Sequence, residues 1–144
     1  MDFELENKIF DLFSKMNYIA EKLLLPIIFD KELSLNQFIL LVSIQKLDVT
    51  TVSEVSEMAK INMGNCSGMC KKLEQCGLLH RERSKYDERR VELRLTDKGD
   101  LIITDIYGEL HKKYESALTQ YTKADEKAFQ EGLNQVNYFF ETLE

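Results

Sequence analysis

Gly77-Leu78-Leu79-His80-Arg81-Glu82-Arg83, then Ser84-Lys85-Tyr86-Asp87-Glu88-Arg89-Arg90, then Val91-Glu92-Leu93-Arg94-Leu95-Thr96-Asp97-Lys98-Gly99 is the stretch whose reading decides the fold. It reads as a strand entered through a glycine, a charged tip, a second strand and a helix start. In the second strand Val91, Leu93 and Leu95 point one way and Glu92 and Arg94 the other, the alternation of a half-buried strand. The seven residues from Ser84 to Arg90 form a long exposed tip between the strands. Thr96 is placed to cap the helix that follows.

Upstream the pattern is helical. Ser34 caps a helix running to about Leu47, with Phe38, Leu41, Val42 and Gln45 or Leu47 inward. Asp48-Val49-Thr50 is a short connection. Thr51 or Ser53 caps the next helix, with Val52, Val55, Met58 and Ala59 inward. Thr51-Val52-Ser53-Glu54 matches the capping-box pattern. Ile61-Asn62-Met63 is a turn, and Asn62 caps a helix that ends at Gln75 or Cys76. Gly77 suits a left-handed C-cap. Two short helices across a tight turn make a helix-turn-helix. With the hairpin behind it, the unit is a winged helix-turn-helix, which grips two grooves of DNA at once.

As a wheel, the second helix of this motif has two unlike arcs. Cys66, Met69, Cys70, Leu73 and Cys76 recur at spacings of three and four and face a core. The opposite arc shows Gly64, Asn65, Ser67, Gly68, Lys71 and Lys72, residues small, polar or cationic as a major groove demands. Asn65 suits an adenine edge and Ser67 a base or phosphate. Two glycines on an exposed helix cost about 1 kcal/mol each against alanine, and close approach of the backbone to DNA offsets that. Lys71 and Lys72 suit phosphates, which set register and salt dependence, and Arg83 and Lys85 join the DNA-binding set from the hairpin. At the hairpin tip, Arg89 and Arg90 suit a narrow minor groove, with Asp87 holding the guanidinium of Arg89. Ser34 and Asn62, at two helix starts, complete the expected DNA-facing set.

Composition agrees with one folded domain over residues 1–144. The chain is 44% hydrophobic and 31% charged, with one proline and six glycines, which leaves little room for long loops. No apolar run approaches the roughly 18 residues of a membrane span, and the acidic N-terminus has no signal-peptide character. A cytoplasmic protein is expected. Net charge is −6 but uneven. Lys60 to Lys98 holds ten cations and six acids, so it is +4, and the remainder is −10. A basic reading head on an acidic body fits that asymmetry.

Outside the head, residues 34–98, lie the segments 1–30 and 99–144, expected to be helical and to dimerise. A helix from about Asp2 to Leu25 carries Ile9, Phe13, Met16, Ala20, Leu23 and Leu24 on one stripe, and Pro26 stops it. Phe3, Leu5, Phe10, Leu12 and Ile19 widen that stripe beyond the needs of one partner, which suggests burial against a second chain. After Thr96 a long helix runs to about Tyr121 with Leu101, Ile102, Ile106, Leu110, Tyr114 and Leu118. Thr122 starts a last helix through Phe129, Leu133, Val136, Phe140 and Leu143. The fold class is mainly α with a small β-hairpin wing: a winged helix-turn-helix plus a helical dimerisation region.

The chain resembles the MarR-type transcriptional regulators over nearly its full length. The resemblance rests on Leu33-Ser34-Leu35-Asn36-Gln37-Phe38, on Leu73-Glu74-Gln75-Cys76-Gly77-Leu78-Leu79, and on Asp87-Glu88-Arg89-Arg90 followed by Leu95-Thr96-Asp97-Lys98-Gly99. It implies a homodimer with intertwined terminal helices and two winged helices on a pseudo-palindromic operator. It places Arg89 in the minor groove with Asp87 as its orienting partner, and Asn65, Ser67, Gly68 and Lys71 on the major groove. Gly68 stands where family members often carry a larger polar or basic side chain.

Control is expected from a small ligand that changes the separation of the two heads. Tyr107 and Tyr114, with Phe13 and Met16, are candidates to line an aromatic pocket, although packing explains them as well. Cys66 and Cys70, four residues apart, raise a second reading, a thiol redox regulator of the same fold. Core packing accounts for them more simply, and such a pair has poor disulfide geometry. Cys76 completes an odd count of three, which argues against a disulfide scaffold. A third reading is a winged helix that binds protein, which the few cations on the recognition helix allow. Two dispersed histidines and the absence of nucleotide, hydrolase or zinc motifs point to no enzyme, no cofactor and no metal.

Overall fold

The computed structural model describes residues 3–143 of the 144. Met1, Asp2 and Glu144 lie outside it, and with them the expected helix start near Asp2. The chain forms two compact units, one through Leu110 and one from His111.

In the first unit, α1 (Glu4–Ile19) passes through a π-helical turn (Ala20–Leu24) into α2 (Leu25–Asp30). Pro26 therefore does not stop the helix, contrary to the sequence reading. It stands in the first turn of α2, where a missing N–H and a fixed φ are tolerated, and the wider π turn ahead of it absorbs the change. α1 buries none of its residues, whereas α2 buries Ile27 and Ile28.

α3 (Leu35–Leu47) is the centre of this unit. Its start is a reciprocal capping box: the Gln37 amide donates to Ser34 Oγ at 3.2 Å, and the Ser34 amide donates to Gln37 Oε1 at 2.8 Å. Phe38, Leu40, Leu41, Ser43 and Ile44 are all buried, a spread wider than one stripe, as befits a helix packed on several sides. Of Gln45 or Leu47, expected inward as alternatives, Leu47 is half-buried against the core, and Gln45 is exposed and donates to Asp100 at 2.9 Å. Ile44 takes the core position instead.

α4 (Val52–Met58) starts at Thr51 with a capping box to Glu54 and buries Val55 and Ser56. Met58, expected inward, is 45% exposed, because it closes a helix of only seven residues whose core positions are already filled. α5 (Met63–Gln75) is capped by Asn62, whose Oδ1 accepts from the Gly64 amide at 2.9 Å. It ends in a Schellman turn: the Leu78 amide donates to Leu73 O and the Gly77 amide to Glu74 O, both at 2.9 Å, with Gly77 at φ +72° as that motif requires.

β1 (Leu79–Arg83) and β2 (Val91–Leu95) pair antiparallel with Leu79 opposite Leu95, Arg81 opposite Leu93 and Arg83 opposite Val91. Leu93 is fully buried, Leu95 half-buried, and Val91, at the mouth of the tip, is 37% exposed. The inward alternation therefore fades towards the tip. Thr50 adds a third rung. Its amide donates to Leu93 O at 3.2 Å and accepts in return at 2.7 Å through its carbonyl, so the hairpin is tied to the loop between α3 and α4.

α6 (Asp97–Leu118) begins at the same place. Thr96 Oγ1 accepts from the Gly99 amide at 3.0 Å and donates to Gly77 O at 2.7 Å, and Lys98 Nζ donates to Cys76 O at 2.9 Å. α6 buries Gly99, Ile103, Ile106 and Leu110, and Lys31 ties α2 to it through an ion pair with Glu109 at 2.9 Å. Leu101, expected on its apolar stripe, is 60% exposed, and Ile103 is buried in its place.

The second unit holds the end of α6 and α7 (Lys123–Glu141), whose start is a capping box between Thr122 and Asp125. Tyr121 meets Phe129 edge-on at 6.2 Å. None of its described residues is buried, and Leu118, Phe129, Leu133 and Tyr138 stand exposed.

The junction of α5 and α6 should be intolerant of bulk. A Cβ at Gly99 would lie 2.2 Å from the Leu78 carbonyl oxygen, so Gly99→Ala forces backbone apart and should cost about 2–4 kcal/mol in urea unfolding. At Gly68 a Cβ meets nothing within 4 Å, and Gly68→Ala should instead add about 0.5–1 kcal/mol by helix propensity.

Candidate nucleic-acid interface

α5 presents the two arcs read from its sequence. Cys66, Cys70 and Leu73 are fully buried and Met69 is half-buried. Gly64, Asn65, Ser67, Gly68, Lys71 and Lys72 are all exposed. Cys76, expected on the inner arc, is exposed. It is the C-cap residue, beyond the last full turn, so the helical periodicity no longer governs it. Ser34 and Asn62 remain at the surface, but both side-chain oxygens are engaged as caps on their own helices.

The hairpin tip is an ordered turn. Its base closes with the Ser84 amide on Arg90 O at 2.8 Å, and its apex with the Arg90 amide on Asp87 O at 2.9 Å. Ser84, expected on an exposed tip, is only 5% exposed, because its Oγ turns inward to accept the Tyr86 amide at 3.3 Å. Arg83, Lys85, Asp87, Arg89 and Arg90 are exposed.

Two expected roles change here. Asp87 does not hold the Arg89 guanidinium; its Oδ1 accepts the Arg89 backbone amide at 3.0 Å, the local turn that aspartate forms two residues ahead. Among the described residues the Arg89 guanidinium has no ion pair. Arg90, expected beside it as a DNA contact, turns back instead: Nη2 donates to Glu54 Oε1 on α4 at 2.8 Å.

Glu54 is the anchor that sequence reading missed. Its Oε2 accepts the Thr51 amide at 2.9 Å and the Thr50 hydroxyl at 3.1 Å, which leaves Oε1 for Arg90. Desolvation pushes its carboxyl up, but the Thr51 and Thr50 hydrogen bonds and the Arg90 charge outweigh that and hold it below its ordinary value. The capping-box spacing signals one oxygen of Glu54. Nothing local signals the other, whose partner lies 36 residues on. Thr51, Val52, Ser53, Asp87, Arg89, Arg90 and Val91 line an open cleft of about 450 Å³ between α4 and the tip.

A sequence model of the transcriptional regulators SarA and Rot matches residues 22–106, which take in the whole winged helix and the first part of α6. The chain belongs to the SarA/Rot family of transcriptional regulators. It is 26% identical over 103 residues to the uncharacterized HTH-type transcriptional regulator YfiV of Bacillus subtilis, covering 72% of this chain and 64% of that one. It is 29% identical over 99 residues to the organic hydroperoxide resistance transcriptional regulator of the same organism, covering 69% and 67%. The chain thus spans about two thirds of the length of these relatives. Its fold is that of the MarR-type winged helices. A MarR family protein from Bacillus stearothermophilus superposes with a TM-score of 0.78 at 21% identity, over 98% of this chain and 99% of that one. A MarR mutant from E. coli complexed with operator DNA superposes with a TM-score of 0.70 at 20% identity, over 94% and 99%. SarA/Rot membership marks the chain as a transcriptional regulator. No described helix is long and apolar enough to cross a membrane.

The remaining candidates are less well assembled in this SarA/Rot chain. Tyr107 lies edge-on to Phe38 at 5.9 Å, and Phe13 and Met16 are exposed on α1. Tyr114 belongs to the second unit, where it lines a cavity of about 590 Å³ with Leu118, Tyr121 and Phe129. The four expected pocket residues are therefore divided between two units. Cys66 donates to Val52 O at 3.8 Å. Burial pushes its thiol up, and pushes that of Cys70 up to about 12 with the neighbouring Cys66 adding to it. Both are core thiols with little thiolate at neutral pH.

Two solution measurements check these environments. With Ellman's reagent, the native protein should yield one fast thiol, Cys76, and all three only after denaturation. In an NMR titration Glu54 should protonate below 4.5. Its contribution to stability is complete above that value and is lost as pH falls through the lowered one.

Proposed function

We propose that this regulator is a homodimeric, sequence-specific DNA-binding repressor that occupies a pseudo-palindromic operator in the cytoplasm and blocks transcription from it. The observation that carries this reading is the exposed face of α5, which holds Lys71 and Lys72 and has no acid before Glu74 in its last turn, beside a tip whose Arg89 guanidinium has no ion pair among the described residues. In this reading α5 lies in the major groove, with Asn65 and Ser67 towards base edges and Gly64 and Gly68 admitting the backbone. Lys71, Lys72, Arg83 and Lys85 meet phosphates, and Arg89 enters the adjoining minor groove. The pairing of a like fold with operator DNA supports the same docking.

Residues 34–98 form the reading head, and 1–30 with 99–144 the dimerisation part. The support for a dimer is unburied apolar surface: Phe3 just ahead of α1, Phe10, Met16 and Ile19 on it, and Leu118, Phe129, Leu133 and Tyr138 further on. At about 25 cal/mol per Å² of apolar area removed from water, a second copy is the natural cover for faces of this size. Release by a small aromatic ligand is the mode of control we propose. Tyr107, edge-on to the core residue Phe38 and 49% exposed, offers a ring face on α6 to such a molecule. The raised, buried thiols speak against Cys66 and Cys70 as redox sensors.

The test is a gel-shift titration against DNA upstream of the chain's own gene, at two salt concentrations and with unrelated duplex as competitor. Competitor-resistant binding that weakens steeply with salt is expected. Arg89→Ala should weaken it about tenfold, within the ~1–3 kcal/mol of a good groove contact, with the melting temperature unchanged. Undiminished binding by Arg89→Ala overturns the wing assignment. Sedimentation at twice the chain mass is the expected result for the dimer.

A further inference from the structure

We propose that Arg90 is a positioning residue, a strut that fixes the wing to α4 and so sets where Arg89 reaches, and is not itself a DNA contact; the proposal rests on the DNA-binding reading above. Three groups of Arg90 are engaged at once. Its amide donates to Asp87 O at 2.9 Å, its carbonyl accepts from the Ser84 amide at 2.8 Å, and its Nη2 donates to Glu54 Oε1 at 2.8 Å. The first bond closes the apex of the tip, the second closes its base, and the third crosses to another element. Arg89 is the residue before it. Its amide is held by Asp87, and its side chain is free of ion pairs among the described residues.

The far end of the strut is itself fixed. Glu54 Oε2 is taken by the Thr51 amide and the Thr50 hydroxyl, and Thr50 also pairs in both directions with Leu93 of β2. Hairpin, loop and α4 thus form a closed ring of contacts around Arg90. A phosphate would have to pull the guanidinium from a carboxylate already in place. The Glu54 charge left behind would then face DNA. Arg89 meets neither obstacle, so of two adjacent cations one anchors and the other reads.

The experiment compares wild type with Arg89→Ala, Arg90→Ala, Glu54→Gln and their double variants by fluorescence anisotropy on the same upstream duplex, across a salt series. Glutamine at position 54 keeps the capping box and removes only the charge. Arg90→Ala and Glu54→Gln should each weaken binding about threefold, the scale of an exposed ion pair. Their salt slopes should match wild type, and the Arg90→Ala, Glu54→Gln double variant should be no weaker than either single one. Both effects should vanish in the Arg89→Ala background, which a general loss of stability would not produce. If Arg90→Ala lowers the salt slope by about one while Glu54→Gln binds as tightly as wild type or tighter, Arg90 holds a phosphate and the proposal is wrong. Effects that persist undiminished without Arg89 also overturn it. Hydrogen exchange without DNA gives an independent readout: the Arg89 and Ser84 amides should exchange faster in Arg90→Ala and Glu54→Gln, and unchanged exchange overturns the strut. Should wild type bind no duplex, the DNA reading fails, and the exchange result still decides whether Arg90 anchors the wing.

Discussion

The carbonyl groups of Cys76, Gly77 and Leu78 are the hinge pin of the winged helix. The chain leaves α5 through a left-handed glycine, and within three residues those carbonyls accept from Lys98, Thr96 Oγ1 and the Thr96 amide. The orphan acceptors at the end of one helix are thereby satisfied by the start of another. Gly99 lets α6 approach this turn more closely than any side chain would permit. Because β1 starts at Leu79 and α6 at Asp97, the direction of the wing and the direction of α6 are set at one point. The short helix α5 cannot tilt without carrying both.

Much of this was legible before any coordinate. The capping signals at Ser34, Thr51, Asn62 and Thr122 and the glycine after α5 are local, and each formed where the sequence places it, while the alternation in β2 holds at Leu93 and Leu95 and fails at Val91. What was illegible is non-local. Pro26 reads as a stop because sequence does not reveal a π turn ahead of it. Gln45 and Leu101 fell on helical stripes, yet their core places went to Ile44 and Ile103, since a helix packed on several sides has no single stripe. In the candidate interface the residue types were legible and their division of labour was not. Asp87 binds an amide and Arg90 a glutamate, and no spacing rule distinguishes those from a minor-groove pair.

The two faces of α5 answer to different demands. Inward, small thiols fill positions where the pattern accepts any modest apolar group, and burial keeps them protonated. Outward, Gly68 touches nothing, so no packing within the chain offsets its cost to the helix. The inner face needs volume and the outer face needs thinness, and a substitution on one side leaves the requirements of the other intact.

The π turn between α1 and α2 has the effect of a phase shift. A π turn holds about one residue more than an α turn, and each residue advances a helix by about 100°. The apolar stripe of α1 is therefore rotated out of line with Ile27 and Ile28 of α2, although the helical run from residue 4 to residue 30 is unbroken. One nearly continuous rod can then be apolar towards two different directions, inward at its end and outward along its length. The register of residues 20–24, more than the identity of any side chain there, governs which way the outer stripe looks.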